Sequence, residues 1–188
     1  MPRKRRVDHE GAWHHVMNRG IDHARIFDDV STRIFLLELR DACIQHRVQV
    51  HGYCILPNHY HLLLHTPDAS LSAAMQRLSS RFTQGVNRYR ERDGPLFEGR
   101  FHSVAIKDDA HLAKVSQYIH LNPVDAGLAA KPEDWAWSSA GAYLGLADKP
   151  EWLHTSALFE MLGSTDPRGA YARYLRDGRA YRGSDTSR

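Results

Sequence analysis

A chain of 188 residues, 42% hydrophobic and 25% charged, has the composition of one ordinary globular domain with an appendage, and is long enough to bury a full core. No apolar run approaches the roughly 20 residues of a membrane span, the basic start MPRKRRVDHE has no apolar stretch of a secretory signal behind it, and the two cysteines, Cys43 and Cys54, lack CxxC spacing and suit a reducing cytoplasm. The net charge of +3 is unevenly spread: residues 1–107 hold 16 Lys and Arg against 11 Asp and Glu, and residues 108–188 hold 9 against 11, which leans the first half towards a polyanionic partner.

GAWHHVMNRG (11–20) reads as a short strand closing in a turn at Asn18-Arg19-Gly20. From Ser31 to about His46, Ile34, Leu37, Leu39 and Ile44 recur in a mostly helical pattern. VQVHGYCILP (48–57) is strand-like, and Pro57-Asn58 supplies a tight connection into a second strand over 59–66, so the two form an antiparallel hairpin. Residues 70–92 make a long helix with Ser70 or Ser72 as its cap, and 99–107 alternate like a strand. Asp108 or Asp109 then caps a helix that runs to about Leu121 and stops near Pro123. Strand, helix, strand, strand, helix, strand is the ferredoxin-like βαββαβ order: an α+β fold with an antiparallel sheet, helices on one face, and the following helix free to cover the other. The main domain is placed at 1–145. Residues 146–188 form a C-terminal extension with short helices near 155–162 and 168–176, and the last ten residues or so are expected to be mobile.

LPNHYHLLLH (56–65) carries two histidines one residue apart. On a strand, side chains at i and i+2 share a face, about 6.6–6.8 Å apart along the backbone. His59 and His61 therefore face the same way as Leu63 and His65, while Tyr60, Leu62 and Leu64 take the other, core side. Two imidazoles at that spacing can converge on one divalent cation, or they can be ordinary core or surface histidines. A metal site needs a third protein ligand, with an open position if it is to do chemistry. Tyr118 and Asn122, four apart, share one helical face, which would place a phenol beside an amide oxygen able to bind metal. A half-buried aromatic and a helix C-cap fit the same spacing equally well.

HVMNRG, LPNHYHLLLHTP, GPLFEGRFHS and QYIHLNPVDAG occur in this order. Together they resemble the single-tyrosine HUH transposases (His–hydrophobic–His, with Tyr60 in the middle) over about residues 12–145. Within that superfamily, YIHLNPV and an asparagine four residues after the tyrosine look most like the REP-associated tyrosine transposases. The resemblance implies the ferredoxin-like fold, His59 and His61 as the metal-binding pair, Tyr118 as nucleophile and Asn122 as the third, polar ligand. Phe97 and Glu98 depart from the Trp and Gln expected before GRF.

The resemblance further implies a Mg²⁺- or Mn²⁺-dependent endonuclease and strand transferase. It would act on single-stranded DNA beside REP-like hairpins through a 5′-phosphotyrosine, as a cytoplasmic monomer, with an exchange dimer as the alternative. Imidazole ligands alone would also suit zinc. Arg77, Arg81, Arg88 and Arg92 lie near one stripe of the long helix and could contact phosphates or form a solvated face. Arg19 and Arg100, in motif segments, are further candidates for DNA contact. The basic RKRR near the start could add non-specific attraction, and YARYLRDGRAYR (171–182) suits either base stacking or packing with a charged rim. The competing reading is a non-cutting module that binds DNA or RNA hairpins on the same fold. A structural metal protein is the weaker third.

Overall fold

The computed structural model describes residues 8–178. RKRR, the expected mobile end and Arg179–Arg182 of the aromatic and basic segment lie outside the described residues. The elements are β1 (Ala12–Arg19), α1 (Asp29–Gln45), β2 (Gln49–Ile55), β3 (His59–Thr66), α2 (Leu71–Tyr89), β4 (His102–Ala105), α3 (Asp109–Asp125), α4 (Ala140–Leu144), α5 (Ser156–Leu162) and α6 (Pro167–Arg176). The four strands form one antiparallel sheet in the order β2-β3-β1-β4, the ferredoxin-like arrangement that the βαββαβ order predicts.

The sheet is a partition. Val16, Tyr60, Leu62 and Leu64 pack on Phe35 and Leu39 of α1 and on Leu78, Phe82 and Val86 of α2. On the opposite face, Cys54 and Leu63 pack on Leu112, Val115 and Ile119 of α3, together with Tyr143, Leu158, Tyr171 and Leu175 of the three C-terminal helices. The period-2 reading of β3 therefore holds, and α3 covers the second face.

Several local expectations are corrected. Helix α1 starts earlier than Ser31, because Asp28 and Ser31 form a reciprocal capping box: Ser31 N–H donates to Asp28 Oδ1 at 2.8 Å and Asp28 N–H to Ser31 Oγ at 2.7 Å. Its buried face is Phe35, Leu39, Ala42 and Cys43, whereas Leu37 and Ile44 are 52% and 65% exposed. Ser70 stands at the N-cap of α2, but its hydroxyl donates to His46 O at 2.6 Å, and Asp8 Oδ2 accepts from Leu71 N–H at 3.0 Å instead. Helix α3, capped by Asp108 through His111 N–H, does not stop near Pro123 but runs through it to Asp125. A proline there costs only one donor in the last turn, and Ala126 N–H still bonds Asn122 O at 2.9 Å.

The outer edge of β2 is covered by the chain after α3. Ile55 N–H donates to Trp137 O, Ser139 N–H to Tyr53 O and His154 N–H to Val50 O, at 2.9, 3.0 and 2.8 Å. Trp135 and Trp137 are half-buried, and the Trp135 indole N–H donates to Ile55 O at 2.9 Å. Among the described residues, no helix is long and apolar enough to cross a membrane.

Candidate active site

Strand β3 projects His59 and His61 toward α3, and α3 returns Tyr118 and Asn122 toward them. The His59 and His61 rings lie 5.0 Å apart between centroids and almost perpendicular, at 88°. The Tyr118 ring stands edge-on to His61 at 5.3 Å and 81°. Asn122 is 8% exposed, and its side-chain amide lies against His59. All four residues singled out for chemistry are thus brought together, and Asn122 reaches the site because α3 stays helical through Pro123.

A fifth residue, His15, belongs to the same group and was not singled out from sequence. It lies opposite Leu63 in the β1–β3 register, which sets its ring diagonally against His61 on the α3 face. His15 Nε2 is 3.0 Å from His61 Nδ1, and the Tyr118 ring is 5.7 Å from the His15 ring. The signal was present in HVMNRG, but adjacent His14 and His15 point to opposite faces, and only the register says which one meets β3's histidines. His14 goes to Thr66 and Asp8 instead, at 3.3 and 3.4 Å.

Burial governs the charge state of these imidazoles. It is the main force lowering His61 well below the usual histidine range, helped by the nearby His15 and His59. Burial, then the charge of His111, pushes His15 down to about 4. His59 is lowered first by burial and then by the Arg19 guanidinium, partly countered by the nearby Asn122 amide. All three are neutral at physiological pH and carry a lone pair each. His59 Nδ1 donates to Asn58 Oδ1 at 2.7 Å, so its lone pair is on Nε2. His61 Nε2 is buried without a hydrogen-bond partner. Among the described residues, no three His, Cys, Asp or Glu side chains are arranged to hold a metal. Any ion here would therefore rest on His59, His61 and the Asn122 amide oxygen, leaving positions open for a substrate. The orphaned Nε2 of His61 is the feature that fits such an ion.

Arg19 sits directly opposite His59 in the register and pairs with Glu98 at 3.1 Å, both roughly a third exposed. Glu98 N–H also bonds Arg19 O, and Asn18 Nδ2 donates to Gly99 O, so the loop carrying exposed Arg100 is fastened to the His59 end of β1. Arg77, Arg81 and Arg88 are elsewhere. They lie on α2, in the layer across the sheet from Tyr118, where Arg77 is half-buried and Arg81 faces Glu38 of α1 at 3.7 Å. Arg92 follows α2 in the turn beyond it, where its guanidinium donates to Asp93 O and Pro95 O at 3.2 and 3.1 Å. The structure does not bring this stripe to the histidines. The described part of YARYLRDGRAYR is a packing helix, with Tyr171 and Leu175 buried.

The sequence from residue 9 to 122 matches the family model described as Transposase IS200 like, so the match ends on Asn122. A candidate REP-associated tyrosine transposase of Haemophilus influenzae is 31% identical over 111 residues, which is 53% of this chain and 63% of that relative's length. The solved structure of a REP-associated tyrosine transposase bound to a REP hairpin superposes with a TM-score of 0.68 at 19% identity, over 84% of this chain and 96% of that one. It establishes the shared fold.

Proposed function

The chain belongs to the IS200-like transposase family, and from that footing we propose that it is a metal-dependent endonuclease and strand transferase for single-stranded DNA flanked by REP-like hairpins. The observation that carries the proposal is the convergence of Tyr118, His59, His61 and Asn122 at one end of the sheet, with the buried Nε2 of His61 unpartnered.

The Tyr118 hydroxyl is the nucleophile. A phenol ordinarily ionises near pH ~10, so its proton must leave as attack proceeds. The phenolic oxygen attacks a backbone phosphorus, and the bond to the 3′ oxygen breaks. That oxygen leaves as a 3′-hydroxyl after taking up a proton, and the DNA 5′ end is joined to Tyr118 as a phosphotyrosine. One phosphodiester has replaced another, so a different 3′-hydroxyl can reverse the step and join the strand without an external energy source. His59 and His61, through their Nε2 atoms, and Asn122, through its amide oxygen, would hold a Mg²⁺ or Mn²⁺ ion. When bound, such an ion withdraws charge from a non-bridging phosphate oxygen and orients the phosphorus. Arg19 and Arg100, near the His59 end of β1, would meet the flanking phosphates. The proposed form is a monomer.

The hairpin substrate is suggested by the REP hairpin of the similar structure. The test is to mix the protein with a pool of labelled single-stranded hairpins and Mn²⁺ and run denaturing gels beside the Tyr118→Phe variant. An adduct with the unaltered protein alone supports the proposal. Native binding without any adduct would favour a hairpin-binding module that does not cut, and adducts persisting with Tyr118→Phe would remove Tyr118 as nucleophile.

A further inference from the structure

His61 is held by a neighbour as well as by its strand. His15 Nε2 lies 3.0 Å from His61 Nδ1, the two rings are tilted by only 31°, and each residue is 4% exposed. A single proton occupies that contact. If it belongs to His15, then His61 must carry its own proton on the buried Nε2, and that nitrogen is a donor. If it belongs to His61 Nδ1, then Nε2 offers a lone pair. Only the second tautomer can ligate a cation.

The neighbouring histidine shows which of the two the site is built for. His59 Nδ1 meets Asn58 Oδ1 at 2.7 Å, and the Asn58 amide is oriented by its Nδ2 donating to His23 O at 3.5 Å. A carbonyl oxygen can only accept, so His59 is an Nδ1–H tautomer with its lone pair on Nε2. At His61 the corresponding acceptor position is filled by an imidazole nitrogen instead of an oxygen. The free Nε2 of His61 is the buried atom left without a partner.

We propose that His15 is a positioning residue: its Nε2 accepts the Nδ1 proton of His61 and so fixes His61 in the tautomer whose Nε2 lone pair faces the site. This rests on the metal-dependent reading above and adds a role that the HxH pair does not itself contain. Metal-bound histidines in general donate their second ring N–H to a carboxylate, carbonyl or water, and loss of that partner typically lowers metal affinity by roughly 10–100-fold. Here the partner is a second histidine on the adjacent strand, and a glutamine can replace it, because its side-chain oxygen reaches about as far as Nε2.

The experiment pairs nitrogen-15 NMR of the imidazoles in the metal-free protein with Mn²⁺ titration followed by electron paramagnetic resonance. The comparison covers the unaltered protein, His15→Phe and His15→Gln. His61 of the unaltered protein is expected as the Nδ1–H tautomer. Mn²⁺ affinity should fall by about 10–100-fold in His15→Phe and recover to near the original value in His15→Gln. His61 found as the Nε2–H tautomer in the unaltered protein overturns the inference, and so does undiminished Mn²⁺ affinity in a folded His15→Phe. Should His15→Phe not fold, the tautomer in the unaltered protein and the affinity of His15→Gln still decide. An unaltered protein that shows the Nδ1–H tautomer but binds no Mn²⁺ would sink the metal-dependent reading alone, leaving the tautomer assignment standing.

Discussion

The hydroxyl of Tyr171 lies 2.6 Å from Nδ1 of His120, and that contact ties the C-terminal helix α6 to the helix carrying Tyr118. The network continues in one direction. Ser139 Oγ donates to Tyr53 O at 3.2 Å, so it accepts from His120 Nε2 at 2.7 Å, and Nδ1 of His120 accepts from Tyr171. Ser116 completes the chain at the Tyr171 oxygen. Every member is buried. Tyr171→Phe leaves His120 Nδ1 and Ser116 Oγ without their partner, at a cost of ~1–3 kcal/mol. Calorimetry should show Tm lower by several degrees, at ~2–4 °C per kcal/mol for a chain of this size, with DNA cleavage retained below the transition. An unchanged Tm would mean that the network does not hold α3.

Asn122→Ala removes the amide from His59 while leaving Tyr118 and both histidines in place. The expected result is Mn²⁺ binding weakened about tenfold or more, at least the loss seen for outer partners of a metal site, with hairpin binding retained in the absence of metal. Titration with Mn²⁺ and native gel shifts, run on the same preparation, separate the two effects. Equal Mn²⁺ affinity would make Asn122 a packing residue of α3.

The arginines divide by layer. Arg19→Ala and Arg100→Ala should weaken hairpin binding and each reduce the steepness of its salt dependence by about one phosphate contact. Arg81→Ala and Arg88→Ala, across the sheet from Tyr118, should leave both unchanged. Binding measured from low to moderate salt checks this, and a reduced slope in the Arg81 variant would show that DNA wraps onto α2.

Acid should destabilise the fold through its buried histidines. Burial, with the nearby charges of His154 and His65, pushes His51 from 6.5 down to about 3 against a weaker opposing hydrogen bond from the His154 backbone. Its neutral form is therefore favoured by folding. The stability it contributes is complete above pH 6.5 and drains away as pH falls towards 3, because the unfolded chain takes up the proton first. Urea midpoints should be level from pH 7 to 8 and fall steadily from pH 6 to 4.5. His51→Phe should reduce that slope by up to ~1.4 kcal/mol per pH unit. An unaltered slope would show that His51 protonates in place.

Much of this protein is legible in one dimension because its signals are local. The alternation of β3 assigns His59 and His61 to one face and Tyr60, Leu62 and Leu64 to the other, since successive strand residues must point oppositely. The order of strands and helices selects the sheet topology, and four residues of helix put Tyr118 and Asn122 on one side. What depends on pairing between distant segments is not written locally. Register decides that His15 and not His14 meets His61 and that Arg19 faces His59, and the path of the loop before β4 decides that Glu98 meets Arg19. The exposed Leu37 and Ile44 show the same limit, because helical periodicity offers several apolar stripes and the packing of α1 on the sheet and α2 selects one. Pro123 forecast a helix end from its missing donor, yet packing of Asn122 and Pro123 in the interior outweighs one hydrogen bond. The arginine stripe was visible as a stripe, but the side of the sheet it occupies is a property of the whole fold.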